Sequence, residues 1–351
     1  QNHTPATSMD YRTLLEDKDI DGIMIATPDH WHAIQAIDAC KAGKDVYIEK
    51  PLCHTVEEGQ AILKAARKYN RVMQVGMQRR SSEHYREVVD YVASGQLGDI
   101  CLMKAWMCQV RGSIGNPPNT PVPQGVNYDT WLGPAPERPF NKNRFHYTWR
   151  FFWDYCNSEL GNQGIHMLDI NLWALAKMKG LDRCIPSRIS GNAGIYWLDD
   201  AKEVPDTQVV TYDYDDMMIA WELHSFETHS PLEGTRAGMG FYGTDASVIL
   251  ADGQWKIYEK GSRQGKPFAF QSPAGGSHAQ NFMDCMKTRK KPNADIAIGR
   301  ISTLLCHLGN ISQRLKRDIT FDAQTETIPN DTEANTMLSK KYRNPYTLPT
   351  V

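Results

Sequence analysis

The triplet Glu49, Lys50 and Pro51 stands at the end of an apolar, β-branched run, in the stretch DVYIEKPLCHT at residues 45–55. Proline lacks a backbone N–H and disfavours helical geometry in the preceding residue, so a strand that reaches Lys50 ends there. The ammonium group then lies at the rim of a sheet. A partly desolvated lysine beside a carboxylate can hydrogen-bond a substrate hydroxyl and take part in proton transfer. Taken alone, the triplet is more typical of a solvated lysine in a turn.

Three consecutive predicted strands end in polar groups, and this succession favours a binding cleft. The ends are TPDH at residues 27–30, EKP at 49–51 and GMQRR at 76–80. In open α/β sheets, ligands bind at the carboxyl ends of the strands. We therefore expect these three segments to form one edge of a ligand site.

A second group of polar residues lies in ELGNQGIHMLDINLWAL. Asn162, His166 and Asp169 are spaced by four and three residues, so they share one face of a helix. A histidine in this position suits a general base near neutral pH. The alternative is a buried histidine whose hydrogen bond is satisfied by Asp169.

The segment HYTWRFFWDY at residues 146–155 supplies aromatic rings beside charged groups. Tyr147, Arg150 and Trp153 suit a sugar-like ligand, which offers apolar faces and hydroxyl edges. A domain interface or a core accounts for the same pattern equally well.

Two motifs are rejected as functional signals. GMGFYG at residues 238–243 fits a dinucleotide fingerprint letter by letter, but TDASVIL after it is typical of a strand where a helix is required. His30 and His32 resemble a metal-binding pair, but a (β/α)₈ hydrolase needs strand–helix alternation along the whole chain. That alternation stops near residue 100, and the cysteines form no C-x-x-C pair. We expect no metal site.

The elements that position these residues fall into two regions. Residues 1–103 alternate between strands and helices, which predicts an α/β unit with a parallel sheet. Thr55 and Glu58 give one of these helices a capping-box pattern. In residues 104–351, repeated strands with one helix around 163–179, and two further helices after them, predict a mostly antiparallel sheet.

Composition bounds the function. The chain has 351 residues, 41% of them hydrophobic and 23% charged, with a formal net charge of −2. This balance indicates no electrostatic surface for nucleic acid or an anionic membrane. The longest apolar runs are strand-sized, so we predict no membrane span. Eight scattered cysteines favour a reducing compartment such as the cytoplasm.

IATPDHWHA, YIEKPL, QVGMQRR and GNQGIHMLD, in this order, closely resemble motifs of the Gfo/Idh/MocA family, which includes glucose-fructose oxidoreductase and inositol dehydrogenase. FYGTDASVIL and NFMDCMKTRKKP extend the resemblance over nearly the whole chain. It implies part of a doubly wound, parallel Rossmann domain that binds NAD or NADP at residues 1–103. It further implies, at 104–351, a C-terminal α/β domain for substrate binding and oligomerisation with a large, open, mainly antiparallel sheet. We expect a homo-oligomer, either a dimer or a tetramer.

The resemblance also assigns roles by position. Lys50 matches the catalytic lysine beside the nicotinamide, and His166 matches a frequent general base. Asn162 stands where many relatives have aspartate, so it can orient the reacting groups but cannot accept a proton. The residues expected to line the cofactor are Thr27, Pro28, His32, Glu49, Lys50 and Gln78. The residues expected to bind substrate are Arg79, Tyr147, Arg150, Trp153 and Asp169.

The family's first strand, glycine-rich turn and ribose-binding acidic residue would precede residue 10, and the sequence does not contain them. We expect the protein to be longer, because half of such a sheet would expose a hydrophobic edge strand. The alternative is a truncated form that binds dinucleotide poorly. The upstream part decides between NAD and NADP, and an export signal there would direct the protein to the periplasm.

These observations predict an oxidoreductase that moves a hydride between NAD(P) and a secondary alcohol of a sugar, cyclitol or glycoside. One alternative is NAD-dependent glycoside cleavage by oxidation, elimination and re-reduction. Another is a non-catalytic carbohydrate-binding or assembly module that has lost the cofactor site. A metal-dependent hydrolase ranks last.

Overall fold

The computed structural model describes residues 6–227, 232, 234–251 and 253–351. Its first region is a sheet of three parallel strands in the order β1-β2-β3. The strands are β1 Gly22–Ile25, β2 Asp45–Ile48 and β3 Met73–Val75. The helices of this region are α1 Arg12–Glu16, α2 Asp29–Lys41, α3 Val56–Lys68 and α4 Glu83–Ala93. The predicted parallel sheet with strand–helix alternation is confirmed.

Local sequence signals set the ends of these elements. Thr55 Oγ1 accepts a hydrogen bond from the Glu58 N–H at 3.4 Å, and Glu58 Oε2 accepts one from the Thr55 N–H at 3.2 Å. This is the predicted capping box, and it satisfies two N–H groups that the first turn of α3 leaves without helical partners. Pro51 ends the segment after β2, and the Lys50–Pro51 peptide bond is cis.

The second region is a nine-stranded sheet in the order β11-β10-β9-β8-β4-β7-β6-β5-β12. Its strands are β4 Ile100–Cys108, β5 Arg188–Gly194, β6 Thr207–Asp213, β7 Met218–His224, β8 Ala237–Gly243, β9 Ala246–Ala251, β10 Gln254–Glu259, β11 Lys266–Pro267 and β12 Ile319–Thr320. Only β4 and β7 pair in parallel, which confirms the large, mainly antiparallel sheet. GMGFYG lies in β8 and is followed by β9, so its rejection as a dinucleotide fingerprint is also confirmed.

The C-terminal part of the chain contributes the helices α5 Tyr128–Leu132, α6 Ile165–Lys179, α7 His278–Thr288, α8 Ile296–Leu315 and α9 Thr332–Thr336. The three longer ones, α6, α7 and α8, pack on the sheets. On the small sheet, the Tyr47 ring meets Phe282 of α7 edge-on at 5.9 Å, and Gln74 Nε2 donates to the His278 carbonyl at 2.8 Å. The small sheet is therefore packed by residues far along the chain. The boundary at residue 103 stays a prediction, although β4 lies wholly in the larger sheet.

In the part of the chain that the structure describes, every helix is too short or too polar to cross a bilayer. All eight cysteines are free thiols, and seven of them are buried. They act mainly as small apolar side chains in the core.

Buried histidines hold the carboxyl ends of the small sheet against the loop that follows β4. His30 Nε2 lies 3.0 Å from the Trp131 carbonyl oxygen, and His54 Nε2 lies 2.9 Å from that of Trp153. Burial lowers the pKa of both side chains well below the usual value for histidine. Both side chains are therefore neutral in the folded protein at neutral pH.

We predict that lowering the pH from 7 to 5 decreases the free energy of unfolding. Among the described residues, burial lowers the pKa of six histidines, which are His30, His32, His54, His166, His278 and His307. Below about pH 6.5 the unfolded chain binds protons that the folded chain does not, and each such site contributes up to about 1.4 kcal/mol per pH unit. Protonation of Asp29, whose pKa is raised to about 7, stabilises the folded protein as the pH falls. This is a single site, so it offsets only part of the histidine effect. Urea unfolding at both pH values measures the change, and an equal or higher midpoint at pH 5 would contradict it.

Candidate active site

A cleft of about 160 Å³ lies at the carboxyl ends of β1 and β2, where they face the segment at 149–162. Its polar and aromatic lining comes from both regions of the chain: Thr27, Asp29, Glu49, Lys50, Trp149, Arg150, Asn157, Ser158 and Asn162. Two of the three predicted strand ends therefore meet at one cleft.

Lys50 crosses this cleft. Its Nζ donates to the backbone oxygen of Asn162 at 2.8 Å and to Asn162 Oδ1 at 3.0 Å. Asn162 lies in a single π-helical turn, Leu160–Gly164, directly before α6. Burial lowers the pKa of Lys50, and the charge of Arg150 adds to this effect, while Asp29 and Glu49 oppose it. The structure thus places Lys50 and Asn162, which are distant in sequence, in direct contact.

His166 lies one turn after Asn162, in α6, and is half-buried. Burial, followed by the charges of Lys50 and Arg79, lowers its pKa to about 3. The imidazole is therefore neutral at neutral pH and within electrostatic reach of the lysine. A neutral imidazole can accept a proton, but a pKa this low makes it a weak base until a ligand changes its surroundings.

Asp29 is a cleft residue that sequence reasoning did not single out. Its side chain is buried at the start of α2 and accepts a hydrogen bond from Asn157 Nδ2 at 2.9 Å. Burial raises the pKa of Asp29 to about 7, although the bond from Asn157 and the charge of Lys50 lower it. A carboxyl group that titrates near neutrality beside a lysine can exchange protons in the working pH range. The TPDH strand end contained the only signal for it.

The predicted cofactor residues are spread along the three strand ends. Thr27 and Pro28 are half-buried between β1 and α2, and Thr27 Oγ1 donates to Gln35 at 2.8 Å. Glu49 Oε2 accepts from the Lys50 N–H at 3.3 Å, and Gln78 is exposed at the start of a 3₁₀ turn.

The shape and chemistry of this edge fit the nicotinamide end of NAD or NADP. A Cβ at Gly76 would lie 2.8 Å from Glu49 Oε2, so a glycine there lets the carboxylate lie across the end of β3. Thr27, Glu49, Lys50 and Gln78 offer a hydroxyl, a carboxylate, an ammonium and an amide. Such a set of donors and acceptors matches a carboxamide and ribose hydroxyls.

His32 is predicted to line the cofactor, and the structure buries it behind the ends of β1 and β2. Its side chain is 1% exposed, and its ring nitrogens lie 2.8 Å from the Thr27 carbonyl oxygen and 2.9 Å from that of Pro51. The ring therefore links the residues that follow β1 and β2 and does not reach the cleft.

The predicted substrate residues separate into two groups. Arg150 lines the cleft, with its guanidinium 4.0 Å from the ring centre of Tyr147, which is 58% exposed. Arg79 lies over the Tyr85 ring at 5.4 Å, and its positive charge helps to lower the pKa of His166. These three side chains remain available to a ligand at or beside the cleft.

Trp153 and Asp169 do not line the cleft, which therefore adds no support to their predicted role in substrate binding. Trp153 lines a neighbouring cavity of about 360 Å³, where its indole N–H donates to the Glu203 carbonyl at 3.1 Å. Asp169 is 1% exposed and pairs with Arg80 Nε at 2.8 Å, while Ser302 Oγ donates to it at 2.6 Å. The carboxylate of Asp169 is therefore occupied by Arg80 and Ser302.

Two family models match the chain. The model described as the NAD-binding Rossmann fold of the Gfo/Idh/MocA oxidoreductase family matches residues 1–77. The model of the family's C-terminal alpha/beta domain matches residues 103–238 and 258–348. Together they cover most of the chain and confirm the resemblance drawn from the sequence motifs.

Curated relatives are similar over shorter stretches. A levoglucosan dehydrogenase of Pseudarthrobacter phenanthrenivorans is 34% identical over 112 residues, which are 32% of this chain and 29% of that protein. An alpha-N-acetylgalactosaminidase of Shewanella oneidensis is 37% identical over 95 residues, which are 26% of this chain and 20% of that protein. The matches thus span less than a third of the length of either relative.

Solved structures share the fold over nearly the whole chain. The WlbA dehydrogenase from Bordetella pertussis, solved in complex with NADH and UDP-GlcNAcA, superposes with a TM-score of 0.64. The match covers 89% of this chain and 83% of that one at 19% sequence identity. At this identity the likeness establishes the fold alone.

We predict that Asp169→Ala destabilises the protein by about 3–5 kcal/mol, because it leaves the charge of Arg80 buried without its partner. The matched control is Asp90→Ala, which removes an exposed ion pair with Lys177 and should cost less than about 1 kcal/mol. Urea unfolding compares the two variants. Equal decreases in the free energy of unfolding for the two variants would contradict the structural role of Asp169.

Proposed function

Because the chain belongs to the Gfo/Idh/MocA family of oxidoreductases, we propose that it moves a hydride between NAD(P) and a secondary alcohol of a sugar, cyclitol or glycoside. The observation that carries this proposal is the partly desolvated ammonium of Lys50 at the ends of the strands, held by two oxygens of Asn162. The likeness to a levoglucosan dehydrogenase supports the substrate class. The fold shared with an enzyme solved with NADH supports the cofactor.

Lys50 is proposed to bind the reacting oxygen. An ammonium group has three N–H donors, and two of them point to Asn162, so one donor is left for a hydroxyl or carbonyl oxygen. Asn162 Nδ2 faces Glu159 at 3.3 Å, which orients Oδ1 towards the lysine. NAD(P) would be held at the ends of β1 to β3 by Thr27, Glu49 and Gln78 and, when bound, supplies the hydride acceptor or donor.

His166 and Asp29 are the two groups proposed to hold the transferred proton. His166 is neutral and lies within electrostatic reach of Lys50. Asp29 lines the cleft, and its pKa of about 7 allows both of its protonation states near neutral pH. Asn162 orients the lysine but has no basic site.

A second candidate function is NAD-dependent cleavage of a glycoside by oxidation, elimination and re-reduction. The similarity to an alpha-N-acetylgalactosaminidase supports it. Oxidation of a sugar carbon acidifies the neighbouring C–H, and the cycle returns the hydride at its end. Release of NADH in step with product supports net dehydrogenation, whereas cleavage without net NADH supports this second function.

The expected homo-oligomer belongs to the same proposal. Val209 and Met218, which are 47% and 39% exposed, lie on adjoining strands of the large sheet. Their buried neighbours Val210 and Ile219 point to the opposite, core side. The same face carries Thr211, Asp213 and Glu222, so association through the sheet would use a mixed apolar and polar surface.

In the complete protein, Lys50→Ala should lower kcat by about 10²–10⁴-fold, the range usual for the loss of a proton-transfer group. Binding of NADH should change little, because Thr27, Glu49 and Gln78 are proposed to hold the cofactor as well. A panel of sugars, cyclitols and glycosides, read by NADH absorbance, measures kcat, and calorimetry measures NADH binding. Lys41→Ala, an exposed lysine at the end of α2, is the control. An unchanged kcat for Lys50→Ala would refute the role.

Asp29→Asn should remove an inflection near pH 7 from the profile of kcat/KM against pH. The reason is that Asp29, with its pKa raised to about 7, changes charge beside Lys50 in this range. The ionised carboxylate favours protonated lysine, so the variant should also lower the pKa of Lys50. Asp90→Asn, an exposed carboxyl on α4, is the control. A profile identical to the wild type would rule out Asp29 as the group that titrates.

A further inference from the structure

A thiol, an imidazole and a carboxylate converge at the carboxyl ends of two strands of the large sheet. Cys108 is the last residue of β4, and His224 is the last residue of β7. These two strands pair in parallel with Cys108 opposite His224, so both side chains leave the same face of the sheet. Glu227 follows three residues later and lies against the same ring.

The spacing of the three ligand atoms suits a tetrahedral zinc ion. Cys108 Sγ is 3.8 Å from His224 Nδ1, which is 2.9 Å from Glu227 Oε2, and all three atoms lie within 4.8 Å of one another. Zinc bonds of about 2.0–2.3 Å place neighbouring ligand atoms about 3.4–3.6 Å apart. Two of the three separations therefore lie within about half an ångström of those in a tetrahedral site, and the third, between Cys108 and Glu227, is at most 4.8 Å. Sulfur, nitrogen and oxygen together favour zinc over calcium or magnesium.

The other nitrogen of the imidazole has the partner expected of a metal-binding histidine. His224 Nε2 lies 2.9 Å from Glu222 Oε1, and Lys104 Nζ lies 2.6 Å from Glu222 Oε2. A carboxylate on one ring nitrogen fixes the tautomer that leaves the other nitrogen free to bind a metal. Both nitrogens of His224 face carboxylates, an arrangement that two ring N–H groups also satisfy. A divalent cation at Nδ1 would take the place of one of those protons.

The burial of the cluster agrees with this assignment. Cys108 is fully buried, His224 and Glu227 are 20% and 9% exposed in their side chains, and the Phe226 ring stacks on His224. A site with this much cover excludes most of the water that competes for the metal.

We propose that Cys108, His224 and Glu227 bind one Zn²⁺ ion, with Glu222 as the carboxylate that orients His224. A water molecule completes the four ligands. The ion links the ends of β4 and β7, where the Arg111 N–H also donates to the Ser225 carbonyl at 2.9 Å. The site stands apart from the proposed hydride transfer and does not rest on it.

The test is a zinc titration of the metal-free chain against a chromophoric chelator, with bound metal counted by mass spectrometry. The wild type is expected to bind one zinc ion per chain. Cys108→Ser and His224→Gln should each weaken binding by at least about 100-fold, and Glu222→Gln by about 10–100-fold. Cys101→Ser, an exposed cysteine on the same strand, is the matched control and should bind zinc as the wild type does.

Cobalt(II) chloride gives an independent readout. A thiolate-to-cobalt charge-transfer band is expected in the wild type and in Cys101→Ser, and it should be absent in Cys108→Ser. If Cys108→Ser fails to fold, Glu227→Gln with weakened zinc binding supports the same assignment. The proposal is overturned if the wild type binds no zinc, or if the ligand variants bind it as tightly as the wild type.

Discussion

The contact between Lys50 Nζ and the two oxygens of Asn162 is the interaction on which the rest of the site depends. A lysine ammonium that leaves bulk water loses hydration, and only well-placed acceptors compensate for this loss. The acceptors here come from a residue 112 positions further along the chain. The end of β2 and the turn before α6 must therefore meet in a fixed geometry.

Buried contacts around the cleft supply that geometry. Arg80, just after β3, pairs with Asp169 of α6, and Ser302 of α8 donates to the same carboxylate. These contacts hold α6 at the end of β3, and Lys50 lies at the end of the neighbouring strand β2. Within the small sheet, His32 holds the ends of β1 and β2 together, because its ring lies between the carbonyl oxygens of Thr27 and Pro51. The cleft thus lies among residues that are held by hydrogen bonds buried from solvent.

Patterns that are local in sequence predicted the fold well. The capping box at Thr55, the termination of the segment after β2 at Pro51, and the alternation of strands and helices all depend on residues within one turn or one strand. Lys50 and Asn162 were assigned to one site from the order of the motifs and the family resemblance. No local pattern could have shown this, because the contact spans more than a hundred residues.

The sequence alone could not separate two side chains of one segment that point to different places. Arg150 lines the cleft and Trp153 lines a neighbouring cavity, yet both belong to the same aromatic segment and only the tertiary fold separates them. Asp169 shares a helix face with His166, but its partner Arg80 lies 89 residues earlier. Likewise, Cys108 and His224 are 116 residues apart, so no spacing rule brings them together. Long-range partners of this kind have no signature in a single sequence.

The central claim is that the fold buries the ammonium of Lys50 against Asn162. The most direct measurement is the rate at which each lysine reacts with acetic anhydride as a function of pH, read residue by residue by mass spectrometry. Because burial lowers its pKa, Lys50 should titrate below the usual range for lysine, and its free amine should react more slowly than that of the exposed Lys41. A Lys50 that titrates in the usual range, and whose free amine reacts as fast as that of Lys41, would mean that it lies in solvent, and this account of the site would be wrong.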